Sequence, residues 1–412
     1  MHLSRCLTLG LCLLVLPGLA AKKKSPPADP ALAVILDSNS NVQVRSSFSN
    51  LRHRIDAGKE VHVAFLGGSI TQNTRGHTAM VPDWFRTTYP QAKFKFTYAG
   101  KSSTCSTSGA FRFRDHVWDQ GHVDLLIVEF AVNDDQDASH AARECVRGME
   151  GIVRQMRTLN PLAEIVMVHF VNPGMLELVA VGKTPTSIAA HQKVAEHYEV
   201  TTVNVAAEVA DAEKQKRYGW PEYGGTHPKS FGYRVASNMI ISAIKRGWQK
   251  KQNPNKPAKV PALLDEGSYT KATFVDVSKA EFSSNGKNWK RGKVSRELIP
   301  LGAIRADYLP YPLLRGEKGS GTVTLTFNGT AVGAFVLAGP DAGIIESRID
   351  GGPPARHDLF HRFSGKLNYP RSVMFHTDLS TGEHRVELRL IDDRNPKSQG
   401  HAANIMFFEV NQ

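Results

Sequence analysis

The feature that most constrains the fold is an alternation of short apolar runs with longer amphipathic segments between residue 60 and about residue 247. Two of these segments, residues 140–159 and 186–197, repeat apolar positions at helical spacing. Four apolar runs have the length and composition of buried strands, at 61–66, 123–130, 165–171 and 201–205. Alternating strands and helices form right-handed crossovers, so we predict an α/β domain over residues 31–248, with a parallel sheet covered by helices on both faces.

A second domain is predicted after a change in composition. Residues 249–270 are polar, contain several prolines and show no periodicity, which is typical of a linker. Beyond them, apolar and polar residues alternate with period two in 321–327, 331–337 and 384–390, separated by turn-forming clusters. This pattern predicts an antiparallel, all-β sandwich over residues 271–412.

The amino terminus has the features of a signal peptide. Arg5 precedes an apolar run that ends at Pro17, and small residues follow at 18–21. We therefore predict a signal peptide at residues 1–21 and a protein secreted to the periplasm or the exterior. The run is shorter than the roughly 20 residues of a membrane span, so no membrane partner is expected. Removing this segment leaves only Cys105 and Cys145, too few for a disulfide framework.

The formal net charge of +12 favours acidic polymers as partners. Much of the excess lies at residues 22–24 and 245–259, where a solvated tail and linker are the better explanation. Nucleic acid is not expected as a partner, because the chain is predicted to be exported and its basic residues do not interleave with aromatic ones.

Three polar residues are candidates for catalysis because of where they lie, directly after predicted strands or directly before the last helix. Ser69 follows two glycines after the first strand, at the edge where open α/β sheets bind ligands. Asn133 follows the strand at 123–130, and His227 lies in the loop before the final helix. In this order they can supply a nucleophile, an oxyanion donor and a base. Taken alone, a serine in this position is also a common helix N-cap.

The sequence around these residues resembles that of the SGNH, or GDSL-like, hydrolases. The matching segments are Phe-Leu-Gly-Gly-Ser-Ile-Thr at 65–71, Gly-Ala-Phe-Arg at 109–112, Val-Glu-Phe-Ala-Val-Asn-Asp at 128–134 and Thr-His-Pro at 226–228. Stretches at 339–345 and 358–362 also resemble the β-sandwich that follows this domain in bacterial relatives. The resemblance implies a flavodoxin-like esterase fold, with polysaccharide acetylesterases as the most similar group.

The sequence departs from that family at two functional positions. Gly224 stands where relatives have the aspartate that orients the histidine, so Glu222, or Asp341 from the second domain, is a candidate replacement. A dyad, with His227 oriented by a backbone carbonyl or water, is the remaining alternative. The family's glycine oxyanion donor corresponds to Gly100 or, counting back from Gly-Ala-Phe-Arg, to Ser103.

We therefore predict a serine esterase that removes acyl groups, acetyl foremost, from an oligo- or polysaccharide that can be acidic. Its oxyanion donors would be the Ser69 amide, Asn133 and an amide in the segment from Gly100 to Ser103. No metal or other cofactor is expected, because the histidines lack ligand spacing. Two alternatives stay open. One is a carbohydrate-binding protein on a decayed hydrolase scaffold, and the other is a glycoside hydrolase using carboxylates from the set Glu129, Asp134, Asp135 and Glu222.

Overall fold

The computed structural model describes residues 39–250, 253–283 and 288–412, so the predicted signal peptide lies outside the described residues. Within these ranges, no helix is both long enough and apolar enough to cross a bilayer. A mixed α/β unit comes first along the chain, and an all-β unit follows it.

The α/β unit is built on a six-stranded sheet. Its strands are β1 Val42–Gln43, β2 Glu60–Gly67, β3 Lys93–Gly100, β4 Leu125–Glu129, β5 Glu164–His169 and β6 Thr201–Asn204. Their order is β1-β6-β5-β4-β2-β3, and every pair is parallel except β1 with β6.

Helices cover both faces of this sheet. They are α1 Ser49–Asp56, α2 Ser69–Gln72, α3 His77–Thr88, α4 Ser106–Phe111, α5 Phe113–His116, α6 Ala142–Leu159, α7 Pro173–Ala180, α8 Thr186–His197, α9 Val205–Lys214, α10 Trp220–Tyr223 and α11 Ser230–Trp248. Shorter turns are the 3-10 helices Asn39–Asn41 and Trp118–Gln120 and the π-helix Asn133–Asp137.

The order of the strands indicates where a ligand-binding crevice lies. Without β1, the order β3-β2-β4-β5-β6 is that of a flavodoxin-like sheet, in which the chain reverses direction between its first and third strands. Here these strands are β2 and β4, and a crevice is expected beyond their carboxyl ends. Strands β4 and β5 are buried along their whole length, since separate apolar clusters pack on the two faces of the sheet. The predicted fold class of the first domain is confirmed.

The all-β unit has two antiparallel sheets. Its strands are β7 Ala272–Asp276, β8 Glu281–Phe282, β9 Lys290–Lys293, β10 Pro312–Gly316, β11 Val323–Asn328, β12 Ala331–Ala338, β13 Ile344–Ile349, β14 Ala355–Asp358, β15 Tyr369–His376, β16 Glu383–Leu390 and β17 Ala403–Asn411. One sheet has the order β15-β12-β17-β10-β9, with β7 also paired to β17, and the other has the order β14-β13-β16-β11-β8. An apolar core that includes Val336, Leu388 and Phe408 lies between them. This confirms the predicted sandwich.

The two units share a tightly packed interface. Tyr269, in the segment without helix or strand before β7, is fully buried among core residues of the first unit, and its hydroxyl donates to Glu144 at 2.8 Å. Arg147 of α6 pairs with Asp265 at 3.0 Å and also with Asp378 of the sandwich. The loops of the sandwich are therefore held in a fixed position beside the first unit.

Candidate active site

Ser69 is the first residue of α2, directly beyond the carboxyl end of β2, and it is partly exposed. The two preceding positions have no room for a side chain. A Cβ on Gly67 would lie 2.3 Å from Glu129 Oε1, and one on Gly68 would lie 2.2 Å from Asn133 Oδ1. Because both residues lack a Cβ, the strand can turn sharply into α2 while Asn133 packs against the backbone next to Ser69.

His227 meets Ser69 across the crevice. Its Nε2 lies 2.7 Å from Ser69 Oγ, and the imidazole is exposed in the loop between α10 and α11. The loop is shaped by Gly224, which has a φ of +102° and whose Cβ would lie 2.4 Å from the backbone nitrogen of Lys229. A side chain at 224 would be strained on both counts, so this loop excludes the family's aspartate at that position.

Neither of the predicted carboxylates contacts His227. Glu222 accepts a hydrogen bond from the Gly219 amide at 3.0 Å and so caps α10. Asp341 is buried in the sandwich, where it pairs with Arg315 at 2.8 Å. Each carboxylate is thus held by a different partner. Among the described residues, His227 Nδ1 has no hydrogen-bond partner from the protein.

Asn133 begins the π-helix after β4 and is buried. Its Nδ2 donates to Asp137 Oδ2 at 2.6 Å, which uses one of the two amide hydrogens and leaves the other available. Burial raises the pKa of Asp137, although the bond from Asn133 opposes this. Asp137 therefore fixes the orientation of the amide, a role that the sequence pattern did not indicate.

The loop after β3 supplies a further amide. Gly100 is still in the ladder opposite Gly67, while Ser103 adopts the left-handed conformation with φ 69°. The Lys101 amide donates to Gly67 O and the Ser102 amide to Gln72 Oε1. Within the described part of the chain, the Ser103 amide has no such acceptor, so it is the available donor of this loop. This left-handed conformation is one that glycine adopts without strain.

Residues 65–235 match the model of the GDSL-like lipase/acylhydrolase family. The match runs from β2 into α11, so the first domain is similar to this family over most of its length. A search of curated proteins found no match to the chain.

Among solved structures, two of a two-domain esterase, CEX, active on acetylated mannans are similar to the whole chain. One, with a TM-score of 0.72, covers 91% of this chain and 98% of its own. The other, co-crystallised with mannopentaose, has a TM-score of 0.71 and covers 90% and 96%. Both are 20% identical to this protein, so the likeness establishes that the fold and the order of the two domains recur.

Arg112 explains the Gly-Ala-Phe-Arg segment of this GDSL-like domain. Its buried guanidinium donates to Ala99 O at 2.6 Å, to Gly67 O at 2.8 Å and to Thr104 Oγ1 at 3.3 Å. Burial lowers the pKa of Arg112 to about 10, so it stays charged at neutral pH. The arginine therefore ties together the ends of β2 and β3 and the loop that carries Ser103.

Glu129, at the end of β4, lies beneath the turn that carries Ser69. Its Oε1 accepts from Thr71 Oγ1 at 2.6 Å and from the Gly68 amide at 3.0 Å. Burial raises the pKa of Glu129 to about 7, against the opposing effect of these two bonds. It thus supports the turn into α2.

One group in the described chain has the composition of a metal site. The ligand atoms of Cys105, Asp134 and His140 lie within 4.8 Å of one another. However, Asp134 already accepts from the Ser106 amide and hydroxyl, each at 2.7 Å, and lies 2.8 Å from His191 Nε2. Both carboxylate oxygens are therefore engaged in protein contacts, and the group is better explained as packing between α4 and the start of α6.

The sandwich contributes two loops to the crevice, which sequence reasoning did not foresee because they are distant along the chain. In the first, Asp307 accepts from Gln72 Nε2 at 3.1 Å, and Arg305 donates to Ser103 Oγ at 3.0 Å. In the second, His361 Nε2 lies 2.8 Å from Asp137 O. Both loops contact the residues that position the candidate oxyanion donors.

Proposed function

We propose that this protein is an exported serine esterase that removes acyl groups, acetyl foremost, from carbohydrate. The observation that carries the proposal is the 2.7 Å contact between Ser69 Oγ and His227 Nε2 at the switch point of a GDSL-like domain. Such a contact is what a nucleophile and its general base require. Export rests on the sequence of the amino terminus alone.

The reaction follows from the geometry. Ser69 Oγ transfers its proton to His227 Nε2 and attacks the ester carbonyl, while the amide of Ser69, the amide of Ser103 and Asn133 Nδ2 donate to the oxyanion. His227 then protonates the sugar hydroxyl that leaves. Water, activated by the same imidazole, hydrolyses the acyl-enzyme and regenerates Ser69.

The base acts in a dyad in this proposal. Because His227 is exposed, solvent water can accept a hydrogen bond from Nδ1 and stabilise the imidazolium. An orienting carboxylate is thereby replaced by hydration and by the rigid loop around Gly224. We expect a smaller contribution from the base than in a complete triad.

The proposed substrate class draws on the fold and on the two-domain crevice. The relative of similar fold is an esterase active on acetylated mannans, so acetylated mannan is our first choice of substrate. The loops of Asp307 and His361 extend the crevice onto the sandwich. A polymer bound at Ser69 would therefore contact both domains.

The alternative of glycosidic-bond hydrolysis is not favoured by the carboxylates of the site. Glu129 and Asp134 are 1% and 0% exposed and bind protein donors. Asp135 accepts from Asn172 Nδ2 at 2.8 Å, and Glu222 caps α10. A pair of carboxylates flanking an accessible cleft is therefore not found at this site.

The test is acetate release by the purified full-length protein from acetylated mannan oligosaccharides, acetylated xylan oligosaccharides and a synthetic aryl acetate. We expect acetate from the carbohydrate esters, none from the Ser69→Ala variant and no new reducing ends. Binding of the oligosaccharides without acetate release by the wild type would contradict the proposal and favour a carbohydrate-binding protein. New reducing ends would favour a glycoside hydrolase.

A further inference from the structure

A second cavity lies behind the candidate oxyanion donors, at the junction of the two domains. It has a volume of about 220 Å³, and its polar lining includes Ser103, Asp137, His140, Tyr369 and Arg371. Ser103 and Asp137 connect it to the site already described, because one carries the free amide and the other holds Asn133. The remaining lining residues belong to α4 and its approach, to the turn after the π-helix and to β15.

The charge of this cavity is dominated by Arg371. The residue is half-buried on β15, and no hydrogen bond or ion pair of its guanidinium is found among the described residues. Burial lowers the pKa of Arg371, but an arginine with so high an ordinary value remains charged. A half-buried guanidinium that has no carboxylate partner is incompletely solvated, and a bound anion would offset the cost of that burial.

Among the described residues, the other titratable groups that line the cavity, Cys105 included, make no hydrogen bond or ion pair with Arg371. Burial alone would lower the pKa of His140, but Cys105 and the Asp134 carboxylate raise it well above its usual value. His140 is therefore cationic, and its charge is matched by Asp134 at 3.6 Å. Burial raises the pKa of Tyr369, which disfavours negative charge on its hydroxyl. The Asp137 carboxylate accepts from Asn133 Nδ2 at 2.6 Å, and no ion pair joins it to Arg371 in the described part of the chain.

The geometry points to this cavity as a binding site for a carboxylate, with Arg371 as its cationic ligand. Arginine presents parallel N–H donors that match the two oxygens of a carboxylate. Since liquid water occupies about 30 Å³ per molecule, the volume suits a small organic acid or one sugar ring and excludes an oligosaccharide. Two sources of that chemistry are available: the acetate released by the proposed reaction, and a uronic acid unit of an acidic polymer. The choice of acetate and uronic acid as ligands rests on the proposed function, whereas the presence of a carboxylate site is independent of that function.

The experiment is calorimetric titration of the full-length wild-type protein at pH 7 with sodium acetate and, separately, with sodium glucuronate. Glucose and sodium chloride at matched concentrations control for neutral sugar and for ionic strength. We expect saturable binding of at least one carboxylate and none of either control. Acetate binding alone would identify a product site, and glucuronate binding alone would identify a subsite for acidic polymer.

Variants assign the binding to this cavity. Arg371→Gln is expected to weaken carboxylate binding at least tenfold, while Arg394→Gln, at an exposed arginine of the same domain, leaves it unchanged. Ala138→Leu fills the cavity and keeps the arginine, so it should also lose binding if the variant remains folded by circular dichroism. Equal binding by the wild type, Arg371→Gln and Ala138→Leu, or no binding by the wild type, would overturn the proposal. Because no turnover is measured, a failed esterase assay and a failed binding assay remain distinguishable.

Discussion

At the scale of single residues, the site depends on positions without side chains as much as on its polar groups. Gly68 allows Asn133 to pack against the backbone beside Ser69, and Gly224 turns the loop that presents His227. Each glycine lies where a Cβ would clash within 2.4 Å of another atom. Ser69 and His227 are therefore positioned by backbone shape, and the polar groups can be tested one at a time.

The first prediction compares the base with the side-chain oxyanion donor. His227→Ala should reduce turnover at least as much as Asn133→Ala, because the imidazole acts on Ser69 directly while two backbone donors survive the loss of Asn133. For Asn133→Ala we expect about a hundredfold to a thousandfold loss of kcat, the usual cost of one oxyanion donor. The measurement is kcat on an aryl acetate for both variants, and the reverse order would mean that the base is misassigned.

The second prediction concerns the two carboxylates that the sequence offered as partners of His227. Glu222→Gln should keep full activity, because glutamine can still accept from the Gly219 amide. Asp341→Asn should also keep its kcat at low temperature, but lose about 3 kcal/mol of unfolding free energy, since Arg315 then lacks its buried partner. Urea titration and kinetics on each variant check both statements. A hundredfold fall in kcat for either variant would show that its carboxylate takes part in catalysis.

The sequence predicted the pairing of Ser69 with His227 because strand order brings the ends of β2 and the last loop to one edge. It could not predict the partner of the histidine. The backbone of the loop around Gly224 leaves no room for a side chain at that position. Asp341, in the turn between β12 and β13, pairs instead with Arg315 of β10. Such competition among charged groups depends on three-dimensional packing, which residue spacing does not contain.

At the scale of elements, strand β4 places an ionisable group under the active site. Glu129 has a pKa of about 7 in the folded protein, above its ordinary value of 4.5. Between these two values the folded state holds a proton that the unfolded chain has released, so the stability that this group provides at low pH falls as the pH rises and is lost above about 7.

The third prediction tests this effect with Glu129→Gln. Glutamine keeps an oxygen that accepts from Thr71 and Gly68 but cannot ionise. Between pH 5 and pH 8, the unfolding free energy of the wild type should therefore fall relative to that of the variant. At about 1.4 kcal/mol per pKa unit, the difference between 4.5 and about 7 gives a full relative change of about 3.5 kcal/mol, most of which falls between pH 5 and pH 8. Urea unfolding at several pH values measures it, and parallel curves for the two proteins would contradict the assignment.

Elements with strong periodicity were predictable, and those fixed by side-chain contacts were not. The apolar runs appeared as β2, β4, β5 and β6, and the alternating segments appeared as strands of the sandwich. The π-helix Asn133–Asp137 has no apolar periodicity in its sequence, because it buries no apolar face. A hydrogen bond between the side chains of Asn133 and Asp137 joins its two ends instead.

At the scale of the whole molecule, the two domains form a continuous structure across the site. Ala272 and Ala331 of the sandwich pack with Tyr269 in the core cluster of the first domain. A chain of hydrogen bonds also links Ser108 through Ser372 to Glu409 at 2.7 and 2.6 Å. From the sequence, Asp341 is the residue of the second domain offered for the site, and whether the sandwich takes part in it is left open.

The fourth prediction follows from this interface. A chain that ends near residue 255 should lose at least about a hundredfold in kcat/KM, the cost of small misplacement in an active site, because it lacks Arg305, Asp307 and the buried Tyr269. The full-length protein should unfold in one calorimetric transition. Full activity of the truncated chain on acetylated oligosaccharide would show that the second domain is dispensable.

The most direct test of the account is whether Ser69 becomes covalently modified during inhibition. The full-length protein is treated with an aryl phosphonate ester, which mimics the tetrahedral intermediate, and the modified peptide is identified by mass spectrometry while acetate release is followed. We predict one adduct, on Ser69, whose extent matches the loss of activity, with no adduct in Ser69→Ala and slow labelling in His227→Ala. Complete inhibition with the adduct on another residue, or undiminished acetate release by Ser69→Ala, would contradict the assignment of Ser69 as the nucleophile.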